Sequence, residues 1–337
     1  MIRSSHIHLS LALTSSLLLI ADAARAELPT IGEPVPVYTV ETDGRVQNFE
    51  SLHREQTGST SQIRTILDLE ARATTVPDAI RIKSQGLTFV RDIHDFEYLT
   101  SAPFKSPTHA YKEALGTFII NHLGSYLRSN DDLSLPRFET RVGTVPQTVR
   151  VKEIALSVAN DLQDFEQITR DPFSTSTDEY KVGRSSFIRR NISSYVRRGD
   201  SIETVLTIEG RCRTVEDAFV VKTAGLQAVT SIESYQRLVS SAFSNPYQAY
   251  TDRRKMFLAR NIAHGVSENS DIGVILSIES ECASVEDAIR VKTGGLAAAQ
   301  DLEEFLQLTR YAFSNPYQAY KEAVSRFIAS YGSRYRA

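Results

Sequence analysis

Apolar and polar positions along most of the chain recur with the period of an α-helix. Two consecutive stretches place their apolar or small residues on one face of a helix. These residues are Ala288, Ile289, Val291, Gly295 and Leu296, and then Leu302, Phe305, Leu306, Leu308 and Ala312. Two runs rich in β-forming residues, 205–208 and 275–278, keep the same helical spacing. The pattern therefore predicts an all-α fold.

Capping residues mark where some of these helices begin. Ser284 stands three residues before Asp287, and Asn315 directly precedes Pro316. A serine or asparagine side chain accepts hydrogen bonds from the first free amides of a helix, and proline is favoured at the first helical position. We therefore expect helices to begin after Ser284 and after Asn315.

The helical pattern is repeated along the chain. The nine residues from Ala242 to Tyr250 return unchanged from Ala312 to Tyr320, seventy positions later. Self-similarity at a fixed period is typical of repeat architectures, and a block of about 35 residues suits one pair of antiparallel helices. We predict an α-solenoid-like array of four units of about 70 residues, each made of two αα-hairpins. The units are repeats 64–132, 133–202, 203–272 and 273–337, and the last is truncated.

The amino-terminal part differs from the repeats. Residues 1–26 have the pattern of a secretory signal, in which Arg3 precedes an apolar run over 9–20 and a small-x-small site ends at Ala26. In residues 27–62, two short runs flank Asp43-Gly44, which favours a hairpin. We interpret 27–62 as an extended or hairpin cap with a linker over 56–61. The predicted mature chain has no transmembrane segment, and its location is periplasmic or extracellular.

Composition and charge exclude several functions. A net charge of -3 and a pI near 6.2 argue against a nucleic-acid binder. The histidines lack metal-ligand spacing, and we find no glycine loop for phosphate and no nucleophile motif, so no metal or cofactor is expected.

The two cysteines, Cys212 and Cys282, occupy equivalent repeat positions that hold Ala73 and Val142 elsewhere. A position that accepts alanine and valine suits a buried free thiol. A disulfide, which an oxidising compartment would allow, is the alternative.

A small residue also recurs at one position of the repeats. Gly86, Gly225 and Gly295 are equivalent, and Ala155 takes their place in the second repeat. Because alanine adopts a left-handed backbone only at a cost, we expect this position to need a small side chain for close helix contact rather than a positive φ.

Opposite charges lie inside the apolar stripes. A lysine recurs on the buried face of one predicted helix, and a glutamate recurs thirteen residues earlier on the buried face of the preceding helix. Because an unpaired buried charge is costly, we predict four structural ion pairs. They are Glu70 with Lys83, Glu139 with Lys152, Glu209 with Lys222, and Glu279 with Lys292. The alternative is that the lysines line a groove and hold an anionic ligand, or act as bases with a lowered pKa.

Two features suggest a binding surface. Basic residues follow one another on the last helices of the second and third repeats, and equivalent helices of a solenoid line up along one face. These residues are Arg189, Arg190 and Arg197, and then Arg253, Arg254 and Lys255. Tyr247 and Tyr317, which replace threonines of the earlier repeats, are further candidates. An ordinary solvated helix face is the alternative for the arginines.

Together these patterns predict an exported helical-repeat protein that acts as a binding or scaffold module without catalysis. Its expected partner is a protein or an acidic polymer, with an anionic membrane surface as a further candidate and no nucleic acid. The alternative is an all-α enzyme that acts on a cell-envelope or extracellular polymer.

Overall fold

The computed structural model describes residues 40–42, 45–47, 59–102, 104, 108–129, 131–133, 135–170, 177–243, 248–314 and 318–335. The chain divides into two units, Met1–Gln56 and Thr57–Ala337. The predicted signal over 1–26 lies outside the described residues. The interpretation of 27–62 as a cap stays a prediction.

The first unit contains one pair of short strands. β1 spans Val40–Thr42 and β2 spans Arg45–Gln47, and the two pair in antiparallel register with Val40 opposite Gln47. They flank Asp43-Gly44, where the sequence predicts a hairpin turn.

The second unit is all-α in the part of the chain that the structure describes, which confirms the predicted class. Its α-helices are α1 Ser59–Glu70, α2 Val76–Gln85, α3 Ile93–Leu99, α4 His109–Tyr126, α5 Pro136–Glu139, α6 Val145–Ala155, α7 Leu162–Ile168, α8 Asp178–Asn191, α9 Ile202–Glu209, α10 Val215–Gly225, α11 Ile232–Leu238, α12 Gln248–Asn261, α13 Ile272–Ser280, α14 Val285–Gly295, α15 Leu302–Leu308 and α16 Gln318–Tyr331. The β-rich runs 205–208 and 275–278 are helical, in α9 and α13, as predicted. Among the described residues, no helix is both long and apolar enough to cross a bilayer.

Hydroxyl side chains cap the starts of four equivalent helices. Ser284 accepts a hydrogen bond from the Asp287 amide at 3.1 Å at the start of α14, as the sequence predicts. Equivalent threonines cap α2, α6 and α10; they are Thr75, Thr144 and Thr214. The second predicted start, at Asn315 and Pro316, lies outside the described residues, and α16 is described from Gln318.

The interpretation of 56–61 as a linker is wrong for its last three residues, because α1 begins at Ser59. Polar residues form the first turn of α1, and the apolar residues that hold the helix in the core, Ile63 and Ile66, follow only afterwards. A polar first turn of this kind cannot be told from a linker by composition.

The recurring small residue marks a close contact between helices. Gly225 has a right-handed backbone with a φ of -59°. A Cβ atom added there would lie 2.6 Å from Leu238 Cδ1 and 2.8 Å from Val205 Cγ1. The glycine is therefore needed for its size and not for a positive φ, which confirms the sequence interpretation.

We expect Gly225→Ala to destabilise the protein by about 1–3 kcal/mol, because the new methyl group overlaps two fully buried neighbours, one of them a stiff β-branched valine. Gly124→Ala is the matched control, since its Cβ would make an ordinary contact at 3.5 Å with Ile154 and alanine favours a helix by about 1 kcal/mol. Urea denaturation measures both variants. Equal changes in the free energy of unfolding of Gly225→Ala and Gly124→Ala would contradict the interpretation that Gly225 marks a close helix contact.

Candidate functional site

The structure brings together the four glutamate and lysine pairs that the sequence predicts. The lysine Nζ atom lies 2.7 Å from the carboxylate in the pairs of Lys83 and Lys152, and 2.8 Å in those of Lys222 and Lys292. All eight side chains have 0% exposed surface. A lysine with no exposed surface cannot hold a ligand in a groove, so the alternative stated above for these lysines is wrong.

Each lysine also binds the end of a third helix. Its Nζ atom donates to two backbone carbonyl groups, 16 and 18 residues further along the chain, at 2.6–3.1 Å. In the third repeat these acceptors are Leu238 O and Ser240 O, at the end of α11. The last carbonyl groups of a helix have no partner within the helix. With the carboxylate, they give the three donors of the ammonium group three acceptors.

A tyrosine from a fourth helix completes each site. The hydroxyl of Tyr250, in the first turn of α12, donates to Glu209 at 2.5 Å, and the hydroxyl of Tyr180 donates to Glu139 at 3.3 Å. Tyr111 and Tyr320 donate in the same way to Glu70 and Glu279. We call these four sites the Glu–Lys–Tyr clusters. Each one joins four consecutive helices.

Burial controls the titration of the clusters. Loss of water raises the pKa of Glu209 above its ordinary value, although Lys222 and Tyr250 oppose the shift. Burial likewise lowers the pKa of Lys222 and raises the pKa of Tyr250. The same directions and the same leading cause hold for Glu70, Lys83, Tyr111, Glu279, Lys292 and Tyr320. These groups are shielded from solvent, so a dissolved substrate does not reach them.

The two cysteines are buried free thiols, as the sequence favours over a disulfide. Each Sγ faces the backbone carbonyl four residues earlier, at 3.8 Å for Cys212 and 3.9 Å for Cys282. Burial raises the pKa of the Cys282 thiol to about 12 and also raises the pKa of Cys212. Neither thiol is a nucleophile at neutral pH.

The predicted basic surface is largely neutralised by carboxylates. Arg189 lies 3.6 Å from Asp217, and Arg190 lies 3.4 Å from Glu153. Arg197 donates to the Asn160 carbonyl oxygen at 3.0 Å. Arg197 lies beyond the end of α8, and the exposed ion pairs of Arg189 and Arg190 are those of an ordinary solvated helix face.

The basic residues of α12 behave similarly. Arg253 lies 3.7 Å from Glu216, and Arg254, with a side chain only 16% exposed, lies 2.7 Å from Glu281. Lys255 is half-buried in the same helix. The two candidate tyrosines, Tyr247 and Tyr317, lie outside the described residues.

A groove that the sequence analysis missed lies between α12, α14 and α16. It has a volume of about 900 Å³. Ile262, Ile289 and Phe327 form its apolar part, whereas Arg260 and Arg326 bring positive charge to it. Of the residues that the structure describes, none forms an ion pair with either of these two arginines. The sequence carried only a weak signal, because Ala323 stands where the third repeat has Arg253, but the first two repeats also have small residues there, Ala114 and Gly183.

No group of three or more histidine, cysteine, aspartate or glutamate residues within the described ranges is arranged to hold a metal ion. Comparisons of the chain with protein-family models, with curated proteins and with solved structures give no match. The fold alone therefore defines its class, an all-α protein.

We expect Lys222→Met to lower the free energy of unfolding by about 3–5 kcal/mol near neutral pH, because Glu209 is left buried without its cation. The pKa of Glu209, already above its ordinary value of 4.5, then rises further. A carboxyl group whose folded pKa is raised contributes stability at low pH that is lost as the pH rises through that pKa. The difference in the free energy of unfolding between wild type and Lys222→Met should therefore become smaller as the pH falls from about 8 to about 5.

Chemical denaturation over this pH range measures the effect. Lys321→Met, which removes an exposed lysine from α16, is the control and should change stability by less than about 0.5 kcal/mol at any pH. A loss of stability in Lys222→Met that does not depend on pH would contradict the claim that the substitution leaves Glu209 as an unpaired buried carboxylate.

We expect both thiols to be silent towards Ellman's reagent in the folded protein at about pH 8 and to react at once in guanidinium chloride, because burial keeps them protonated and inaccessible. Absorbance of the released thiolate counts them. No reactive thiol after unfolding without a reductant would show a disulfide instead.

Proposed function

We propose that the second unit is a four-unit helical-repeat array of an exported, non-catalytic binding protein. The helices recur in sets of four, α1–α4, α5–α8, α9–α12 and α13–α16, and each set carries one Glu–Lys–Tyr cluster. The same contacts in every set support a repeated unit. The secretory pattern over 1–26 supports export to the periplasm or the medium.

The groove between α12, α14 and α16 is the binding site in this proposal. In the third repeat the equivalent place is filled, because Arg253 lies over the ring of Phe219 at 4.9 Å from its centre. In the fourth repeat Ala323 and Ile289 replace this pair, and the groove opens. The open apolar groove of the fourth repeat is the observation that carries the proposal, since an open apolar groove between helices is a common binding site for an amphipathic peptide.

The charges beside the groove indicate the chemistry of its partner. Arg290 is paired with Glu286 at its edge, whereas Arg260 and Arg326 have exposed side chains and make no ion pair with a described residue. A protein segment that presents apolar residues on one side and carboxylates on the other satisfies both features. The array therefore binds an acidic amphipathic segment of another protein.

The buried positions of the titratable groups support a non-catalytic role. The buried glutamate, lysine and tyrosine side chains of the four clusters are used to join helices, and the same set occurs in every repeat. A catalytic site is normally built once in a chain, with groups that a substrate can reach.

We expect Ala323→Arg to abolish peptide binding, because it returns to the groove the bulky side chain that fills it in the third repeat. A library of random 16-residue peptides displayed on phage serves as the probe. Peptides that wild type retains should be rich in apolar residues at helical spacing together with aspartate or glutamate, and Ala323→Arg should lose them by at least about tenfold in affinity.

Ala329→Arg is the matched control, since it adds the same charge to an exposed position of α16 outside the groove. It should keep the selected peptides. A library that yields no peptide sensitive to Ala323→Arg, or peptides that both variants lose equally, would reject the groove as the binding site.

A further inference from the structure

The end of the array formed by α15 has an uncovered apolar surface. Leu302 is 47% exposed, and Leu306 and Tyr311 are 55% and 56% exposed. The residues equivalent to Leu302 in the earlier repeats are almost fully buried; they are Ile93, Leu162 and Ile232. In the described part of the chain, this helix face is therefore exposed to solvent in the fourth repeat and buried in the other three.

The earlier repeats show what covers this face. The first helix of the following repeat packs on it, as α9 packs on α7 and α13 packs on α11. At the first two boundaries an arginine after that first helix binds across the boundary, whereas Glu281 holds this position at the third. Arg211 donates to Glu166 O and Thr169 Oγ1 at 2.7 and 2.6 Å and also contacts the Glu166 carboxylate.

The first boundary is built in the same way. Arg141 donates to Glu97 O and Thr100 Oγ1 at 2.5 and 2.8 Å. The ring of Phe138 packs against Phe96 with centroids 5.7 Å apart. At each of these boundaries, helices pack together and an arginine donates hydrogen bonds to a glutamate and a threonine of the preceding repeat.

The α1 end of the array carries the other half of this boundary. Arg72 stands where Arg141 and Arg211 stand in the next repeats, and it is exposed. Leu69 is half-exposed, whereas its counterparts Phe138 and Ile208 have 0% exposed surface. On the α15 end, Thr309 matches Thr100 and Thr169 but is only half-buried.

We propose that a second copy of this chain docks head-to-tail, with its α1 end on the α15 end of the first copy. The contact continues the boundary that the chain uses between its first three repeats, and this inference rests on the repeat array proposed above. Arg72 of the incoming copy donates to Thr309 and to Leu306 O, and Leu302 is buried against Leu69. Such a contact does not close on itself, so it builds open chains.

Leu306 gives this proposal a sharp test, because the equivalent residue is Glu97 or Glu166 in the first two repeats. Leu306→Glu supplies Arg72 with the carboxylate that Arg141 and Arg211 already have, so it should tighten self-association about three- to tenfold. Any other apolar occupant of this face would be weakened by the same substitution. Arg72→Ala in the Leu306→Glu background should remove the gain.

Sedimentation equilibrium of the full chain gives the weight-average mass as a function of concentration. Wild type should show a mass that rises with concentration, and Leu302→Asp should weaken the association by at least about tenfold because a buried leucine is lost. Ala323→Arg, which fills the groove, should leave self-association unchanged. The test of self-association is therefore independent of the test of peptide binding in the groove.

Two results would overturn the proposal. If wild type and Leu306→Glu both stay monomeric, no second copy docks, and the interpretation of 27–62 as a cap gains support. If the chain associates but Leu306→Glu weakens it, or Arg72→Ala changes nothing, the α15 end is covered by a different surface.

Discussion

A lysine ammonium group buried without water requires three acceptors, and the rest of this fold depends on how that requirement is met. In the third repeat the acceptors are the Glu209 carboxylate, from α9, and two carbonyl groups at the end of α11. The hydroxyl of Tyr250 then brings α12 to the same carboxylate. Lys222 in α10 thus joins α9 and α11, Tyr250 adds α12 through the carboxylate, and the same arrangement occurs in each of the four sets of helices.

This arrangement specifies the register of the helices more than it adds to their stability. A buried ion pair is often no more stable than a well-packed apolar pair, but a helix that shifted by one turn would leave a charge without partners. We infer that the clusters fix which helix faces which, while apolar contacts such as that of Gly225 with Leu238 set the distance. These charges are used within the core and have no exposed surface, whereas the repeats differ from one another in bulk and in charge at the surface.

The sequence predicted the helices and the pairing of Glu209 with Lys222, because both charges fall inside apolar stripes and keep one spacing. It did not predict the carbonyl partners of Lys222, since a backbone group carries no side-chain signal. It did not predict the contact of Tyr250 with Glu209, because the direction of the tyrosine hydroxyl depends on tertiary packing. Nor did it predict the partner of Arg189, since Asp217 lies in the next repeat. The groove was missed because it arises from a difference between repeats, at Ala323, and not from a motif.

Reductive methylation of the folded protein, read by mass spectrometry, tests the central claim most directly. The account predicts that the four cluster lysines, Lys83, Lys152, Lys222 and Lys292, remain unmodified because their side chains have no exposed surface. The exposed residues Lys112 and Lys321 should be methylated under the same conditions. Methylation of the cluster lysines as fast as that of Lys112 and Lys321 would contradict the account.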